Sequence, residues 1–397
     1  NQYFEVAAKN GITTVLLDDS RAAFANTSNG VITVVQDNIG RVYLAITPSA
    51  PYNRIRITNH VTALLPTGKK ASLDVYNACF EIGTNPCFPA NFTSYKGGGI
   101  GLSALNISNV GVTNAYRAIS ANSSDYSEIN LGIAGVAANV YQTIYFNKPS
   151  QPNDKVKVRL QIQPSSVLSL DLLGAYKIKF YNGNTQVGPD YTLQSGLINN
   201  IDLLALFRSG GIAELQFQPT GTFDRVDIGA ESIVSLNVAA EPLRVYSVVR
   251  YGVTCPEPFE TSPFAVPKCA TMLVDAQNAD DIQNLFDDNY ATFATLKSGA
   301  GTLLGLGNKY EGFVELGYDQ VVPAGITSYI RIDMEGTLLE KLVGGSLGNV
   351  ASGLVNNLVL GDHYFKVDVK NNTYNAQGAV STSTLIATAN SKDAAVG

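Results

Sequence analysis

The stretch KVKVRLQIQ, Lys155 to Gln163, sets Val156, Val158, Leu160 and Ile162 on one phase of a two-residue period and charged or amide residues on the other. Successive side chains of a strand point to opposite faces, so this period predicts a half-buried β-strand. The same reading extends outward to YKIKFY (Tyr176 to Tyr181), VITVV (Val31 to Val35), VYLAI (Val42 to Ile46), RIRIT (Arg54 to Thr58) and YIRIDM (Tyr329 to Met334). Each alternates or concentrates β-branched and aromatic residues between Gly, Pro or Asn punctuation. Spacing of this kind predicts an all-β fold of tandem, jelly-roll-like β-sandwich domains rather than a parallel sheet with crossover helices. Helix is a minor component. NNIDLLALF (Asn199 to Phe207) and LLEKLVGGSLGNVASGLVNNLV (Leu338 to Val359) predict a few short helical turns, the second weakened by its glycines.

Composition points the same way. The chain of 397 residues is 45% apolar but only 15% charged, well below the usual quarter, with mean hydropathy +0.06. Thirty-six Gly and no Trp suit short strands joined by many turns. The net charge of −6 comes with Lys and Arg scattered along strands and never clustered, so no nucleic-acid partner is expected. The longest weakly charged stretch, from Leu131 to Phe146, is broken by Asn139, Gln142 and Thr143. A helical span needs about 20 dominantly apolar residues, so no membrane insertion is expected in this segment.

The chain repeats itself. NQYFEVAAKN at Asn1 returns as DHYFKVDVKN at Asp362, with Tyr3, Phe4, Val6, Lys9 and Asn10 matched by Tyr364, Phe365, Val367, Lys370 and Asn371. Self-similarity at a fixed spacing marks repeated modules. A weaker repeat lies inside that period: TPSAPYNRIRI from Thr47 corresponds to QPTGTFDRVDI from Gln218, and LDVY at Leu73 to LRVY at Leu243. An N-terminal pair also exists, NAYRAISANSSDYS from Asn114 and NADDIQNLFDDNYA from Asn278, which sets Tyr126 opposite Tyr290. The predicted parsing is residues 1–87 as the C-terminal part of a β-sandwich, 88–254 as a complete β-sandwich, 255–269 as a Pro-rich linker, and 270–397 as the front part of a next sandwich. Within the last, 362–397 re-enter the repeat seen at 1–36. A sister domain is thus split across the two ends, and an unfinished sheet of this kind recruits strands from elsewhere.

Four cysteines lie at the junctions: Cys79 and Cys87 in CFEIGTNPC, Cys255 and Cys269 in CPEPFETSPFAVPKC. Four cysteines permit three pairings; local bonds of Cys79 to Cys87 and Cys255 to Cys269 would stiffen each linker, and four buried free thiols are the alternative. Zinc fails on spacing and for want of His. Disulfides imply an oxidising compartment.

Catalytic chemistry is hard to assemble. The two histidines, His60 and His363, stand apart from any nucleophile elbow, and His363 is Gln2 in the first copy of its motif. Carboxylate pairs at Asp18 and Asp19, Asp280 and Asp281, and Asp287 and Asp288 read as solvated turns, although a glycosidase needs only two carboxyl groups. No enzyme activity and no catalytic residue is expected.

NADDIQNLFDDNYATF and its counterpart resemble the entry segment of galactose-binding-like, or discoidin-like, jelly rolls, in which an acidic turn holds a structural Ca²⁺. The resemblance implies Asp287 and Asp288 as calcium ligands; the family's Trp after the turn is Phe293 here, and the sister copy keeps only Asp125. The longer phrases YLAITPSAPYNRIRITN (Tyr43 to Asn59), LGIAGVAANVYQTIYFNKPS (Leu131 to Ser150), GAGTLLGLGNKYEGFVELGYDQVVPAGITSYIRI (Gly299 to Ile332) and LVGGSLGNV (Leu342 to Val350) resemble repeat modules of large Bacteroidetes cell-surface adhesins. That class is exported by the type IX secretion system and includes gliding-motility adhesins. It implies an extracellular, cell-surface location and neighbouring repeats as partners. The expected function is a structural and adhesive repeat segment of a long filament. The alternative is a carbohydrate-binding module array, with surface glycans as partners and Tyr126 or the TSY loop at Thr93 as contacts.

Overall fold

The computed structural model describes residues 2–22, 24, 28–61, 69–80, 90–99, 111–131, 138–146, 149–165, 168–195, 197–198, 201–231, 241–252, 268–303, 306–335, 339, 366–374 and 380–390. Three stretches of chain build the body. The first gives β1 (Gln2–Asn10), β2 (Thr13–Asp19), β3 (Gly30–Gln36), β4 (Val42–Pro48), β5 (Tyr52–Val61) and β6 (Lys69–Phe80). The second gives β7 (Ala90–Gly99), β8 (Gly111–Thr113), β9 (Ser127–Asn130), β10 (Ala138–Phe146), β11 (Lys155–Ile162), β12 (Tyr176–Asn182), β13 (Thr185–Thr192), β14 (Leu197–Ile198), β15 (Ile201–Asp202), β16 (Ala213–Phe217), β17 (Arg225–Glu231) and β18 (Leu243–Tyr251). The third gives β19 (Lys268–Cys269), β20 (Met272–Gln277), β21 (Ala279–Asp280), β22 (Ala294–Leu303), β23 (Leu306–Tyr310), β24 (Gly312–Val322) and β25 (Ser328–Asp333), and a hairpin follows, β26 (Lys366–Tyr374) and β27 (Val380–Asn390). The fold is all-β and antiparallel.

One sheet, ordered β2-β1-β5-β24-β20, covers half of a thirteen-stranded sheet, the path β3-β4-β25-β6-β22-β21 with β19 and β23 attached. Between them lies a core of Phe4, Val6, Leu16, Leu44, Ile46, Tyr52, Ile57, Leu73, Phe80, Val314 and Ile330. A third sheet, β16-β11-β18-β9-β8, covers the other half, β13-β12-β17-β10-β7. The alternation that predicts β11 is realised there, because Val156, Val158, Leu160 and Ile162 are fully buried in the second core. The large sheet runs through both sandwiches where Gln36 of β3 pairs with Thr93 of β7. At the same junction the ring of Tyr116 lies under Gly40 in the turn between β3 and β4.

The segments read as the back part of one domain and the front part of another share one sandwich. β24 pairs with β5, β22 with β6, and β25 with both β4 and β6. The order β2-β1-β5-β24-β20 is met again as β13-β12-β17-β10-β7, and β4-β25-β6-β22-β21 as β16-β11-β18-β9-β8. The two sandwiches therefore have one topology, cut at different points of the chain. The aligned Asn114 and Asn278 both adopt left-handed φ, 52° and 48°, a conformation that asparagine tolerates better than most residues.

The cysteine pairing differs from the local one expected. Cys79 bonds Cys269, across 190 residues of sequence, with α-carbons 3.9 Å apart. The sheet register dictates it, since β19 lies antiparallel on the end of β6 and sets Cys269 directly opposite Cys79. Cys87, Cys255 and the linker from Pro256 to Pro267 lie outside the described residues. So does nearly all of the second expected helical stretch. The first is a short helix, Leu203–Arg208, capped by Asp202 whose carboxylate accepts from the Ala205 amide at 3.0 Å.

Candidate functional site

The alternation that buries one face of the thirteen-stranded sheet leaves the other face outward on both sandwiches. On β3 and β4 the phase opposite the core carries Val31, Thr33, Val35, Tyr43, Ala45 and Thr47; on β25 it carries Tyr329 and on β10 Tyr145. Where the sandwiches meet, these residues other than Tyr43, together with Phe92 and the loops beside them, line a groove of about 290 Å³, with Tyr43 packed behind Phe92. Its floor is aromatic. Phe92 and Tyr329 stack with centroids 4.7 Å apart and planes at 17°, and Tyr43 meets Phe92 edge-on at 5.4 Å. Tyr145 stands on the second-sandwich side with the Arg225 guanidinium 5.2 Å from its ring centroid, a cation–π arrangement.

Polar groups rim the floor. Asp224 bonds the Arg225 Nε at 2.9 Å and accepts from the Gly183 amide at 2.9 Å. The Tyr145 and Ser94 hydroxyls lie 2.9 Å apart, and those of Thr47 and Thr327 2.8 Å apart. Exposed Asn184 and the Gly325 turn, whose amide bonds the Pro48 carbonyl at 2.9 Å, complete the edge. Burial holds the phenols of Tyr145 and Tyr43 neutral, pushing Tyr145 up and Tyr43 to about 12. Burial is the largest influence and works against the Arg225 charge, yet the Asp224 hydrogen bond together with the charges of Tyr145, Asp224 and Asp227 outweighs it and raises its pKa. The groove thus combines flat apolar faces with neutral hydroxyls and one internally compensated ion pair, which suits a neutral, hydroxyl-rich ligand with an apolar face.

The sequence candidates lie elsewhere. Tyr126 packs against Tyr246 at 5.3 Å beneath the Arg244 guanidinium, 4.4 Å from its ring. The TSY segment at Thr93 lies within strand β7 rather than in a loop, and Tyr95 packs against both cores. His60 is 7% exposed, stacks on Tyr3 at 4.6 Å and holds Nδ1 2.9 Å from the Glu311 carboxylate; His363 lies outside the described residues. Asp19 pairs with Arg21 at 2.6 Å, and Asp280 with Lys297. Asp287 closes a turn, both carboxylate oxygens accepting from the Thr292 hydroxyl, at 3.0 and 2.8 Å, and one from the Asn289 amide at 2.9 Å. Asp288 has left-handed φ, 56°. Among the described residues no three carboxylate, imidazole or thiol side chains converge. Asp287 and Asp288 share one hydrogen-bonded turn. The groove tyrosines, missed in the sequence, carried a usable signal: Tyr145 and Tyr329 sit on the strand phase opposite the apolar one.

No family model and no curated protein matches the sequence. Among solved structures, the lectin domain of lectinolysin complexed with Lewis B antigen overlaps 40% of this chain and 92% of its own, at 13% identity and TM-score 0.23. A Streptococcus pneumoniae fucose binding module overlaps 38% of this chain and 95% of its own, at 15% identity and TM-score 0.21. A likeness of this extent assigns neither ligand nor site to this chain. Among the described residues no helix is long and apolar enough to cross a membrane.

Proposed function

We propose that this chain is a non-catalytic adhesive module that binds carbohydrate in the groove between its two sandwiches. The observation that carries the reading is the pair of partly buried tyrosines, Tyr329 backed by buried Phe92 and Tyr145 beside the Asp224–Arg225 pair, that line the groove. A sugar ring has an apolar face of C–H groups and a rim of hydroxyls, so it stacks on the tyrosines while Asp224, Asn184 and the threonines exchange hydrogen bonds with its edge. The solved glycan-binding modules named above are consistent with this reading and do not bear it. A glycan array followed by calorimetry tests it: Tyr329→Ala is expected to weaken the best glycan at least about tenfold, or about 1.4 kcal/mol. Failure of the intact chain to bind any arrayed glycan, or unchanged affinity in the variant, overturns it.

A second reading concerns placement, and the continuous sheet supports it. Two sandwiches that share one sheet resist bending better than two joined only by a linker, which suits an extended surface filament. The resemblance to Bacteroidetes repeat modules adds export by the type IX route and a role in adhesion and gliding. Protease shaving of intact cells checks the location: peptides of this chain in the released fraction are expected, and their restriction to lysed cells sinks the placement.

A further inference from the structure

The sandwich assembled from the two ends of the chain has a separable seam. Residues 2–80 meet residues 268–333 through five strand pairings, a shared core and one disulfide, with the whole second sandwich intervening in sequence. Its polar contacts are specific. Buried Glu315 of β24 faces Lys9, Arg54 and Arg56 of the back half; the Tyr52 hydroxyl lies 2.7 Å from that of Ser328, and the Asn59 amide donates to the Leu296 carbonyl at 3.0 Å.

The second sandwich shows how this topology runs when uncut: the strands equivalent to β20–β25 come first, and those equivalent to β1–β6 follow. By that order the front half, 268–333, is followed by a back half, not preceded by one. The hairpin β26–β27 stands at that place in the chain. β26 lies in the repeat of the β1 sequence, and the β26–β27 register shifts between Val369 and Lys370, the positions matching Ala8 and Lys9 where β1–β2 shifts, and again between Thr373 and Tyr374. In the body β1 lies between β2 and β5, whereas β26 pairs with β27 alone among the described strands.

We propose that the seam is an exchange joint, in which the front half of one copy of this chain closes with the back half of a second copy, linking copies head to tail. The contacts are those of the closed chain, so exchange creates no new interface and costs little beyond the entropy of association. What favours closure within one chain is the local concentration of its own other end; raising chain concentration works against that advantage. An opened half exposes the unpaired edges of β5 and β6, which take a matching strand.

The Cys79–Cys269 bond reports the outcome, because it crosses the seam. Equal amounts of ¹⁴N- and ¹⁵N-labelled full-length chain are mixed in reductant and denaturant, then refolded under oxidising conditions at about 1 μM and about 50 μM. The disulfide-linked peptides holding Cys79 and Cys269 are read by mass spectrometry. The joint predicts mixed-isotope pairs approaching about half of the total at the higher concentration, and oligomers of the 42.2 kDa chain by sedimentation. Unlabelled chain as purified, sedimented with reductant over the same range, gives an arm that needs no refolding, and concentration-dependent association is expected there too. Pairs of one isotope only, with a monomer at every concentration in both arms, overturn the proposal. Neither arm depends on glycan binding, so the joint and the groove stand or fall separately.

Discussion

Tyr329 shows how much one residue's phase on a strand decides. Its neighbours Ile330 and Ile332 enter the core, and the single-residue offset turns Tyr329 outward onto Phe92. The expected loss of glycan affinity in Tyr329→Ala belongs to the ring face rather than the hydroxyl, so Tyr329→Phe is expected to keep most of it in the same calorimetric measurement. Gly229 answers to another constraint: a Cβ there would sit 2.1 Å from the Val140 carbonyl oxygen, so β17 and β10 approach closely only because the position has no side chain. Tyr126 is the counterexample. It reads as a loop tyrosine available to a ligand, but its ring packs against Tyr246 and lies under the Arg244 guanidinium.

Three neighbouring strands, β12, β17 and β10, are tied on their outward face by Glu231, which accepts from Lys177, Lys179 and the Tyr141 hydroxyl. Partial burial works to raise its pKa, but the bonds to Lys177, Tyr141 and Lys179 prevail and lower it from 4.5 to about 2. A depressed carboxyl contributes stability that is fully present above its unfolded value and is lost as pH falls through the folded value. Acid unfolding is therefore expected to steepen between pH 4.5 and about 2, and Glu231→Gln to flatten that limb while leaving the neutral plateau less affected. Identical acid limbs in far-UV circular dichroism would remove Glu231 from the account. On the same face Asp227, buried, joins Lys96 at 2.6 Å and the Thr143 hydroxyl at 2.7 Å, so this part of the sheet is covered by paired charges rather than by another layer.

At the scale of the molecule, the first sandwich depends on bringing distant segments together, and the disulfide bears directly on that. A crosslink closing so long a loop removes on the order of 5 kcal/mol of unfolded-state entropy in the chain-entropy estimate. Cys269→Ser is expected to shift the calorimetric transition of the first sandwich down and leave that of the second near its original temperature. Peptide mapping is expected to recover Cys79 linked to Cys269. Equal shifts of both transitions would mean that the sheet shared across the junction makes them one cooperative unit.

The strands of both sandwiches were legible in the sequence because a two-residue apolar period is a local property, set by which faces a strand presents. Internal repeats were legible too, and with them the relation between the chain's two ends. Residues that meet only through sheet register were not. Cys79 lies nearer Cys87 than Cys269 along the chain, and nothing local reveals that β19 will lie on β6. The groove was hidden for the same reason: Phe92, Tyr145 and Tyr329 come from three separated strands, and their phase sets them opposite the two large cores without saying which sheet joins which. The sequence determined which residues face in and which face out, since that follows from period and hydrophobicity alone. Only the tertiary structure decided which outward residues are neighbours, because strand pairing is a long-range choice made by the packing of whole sheets.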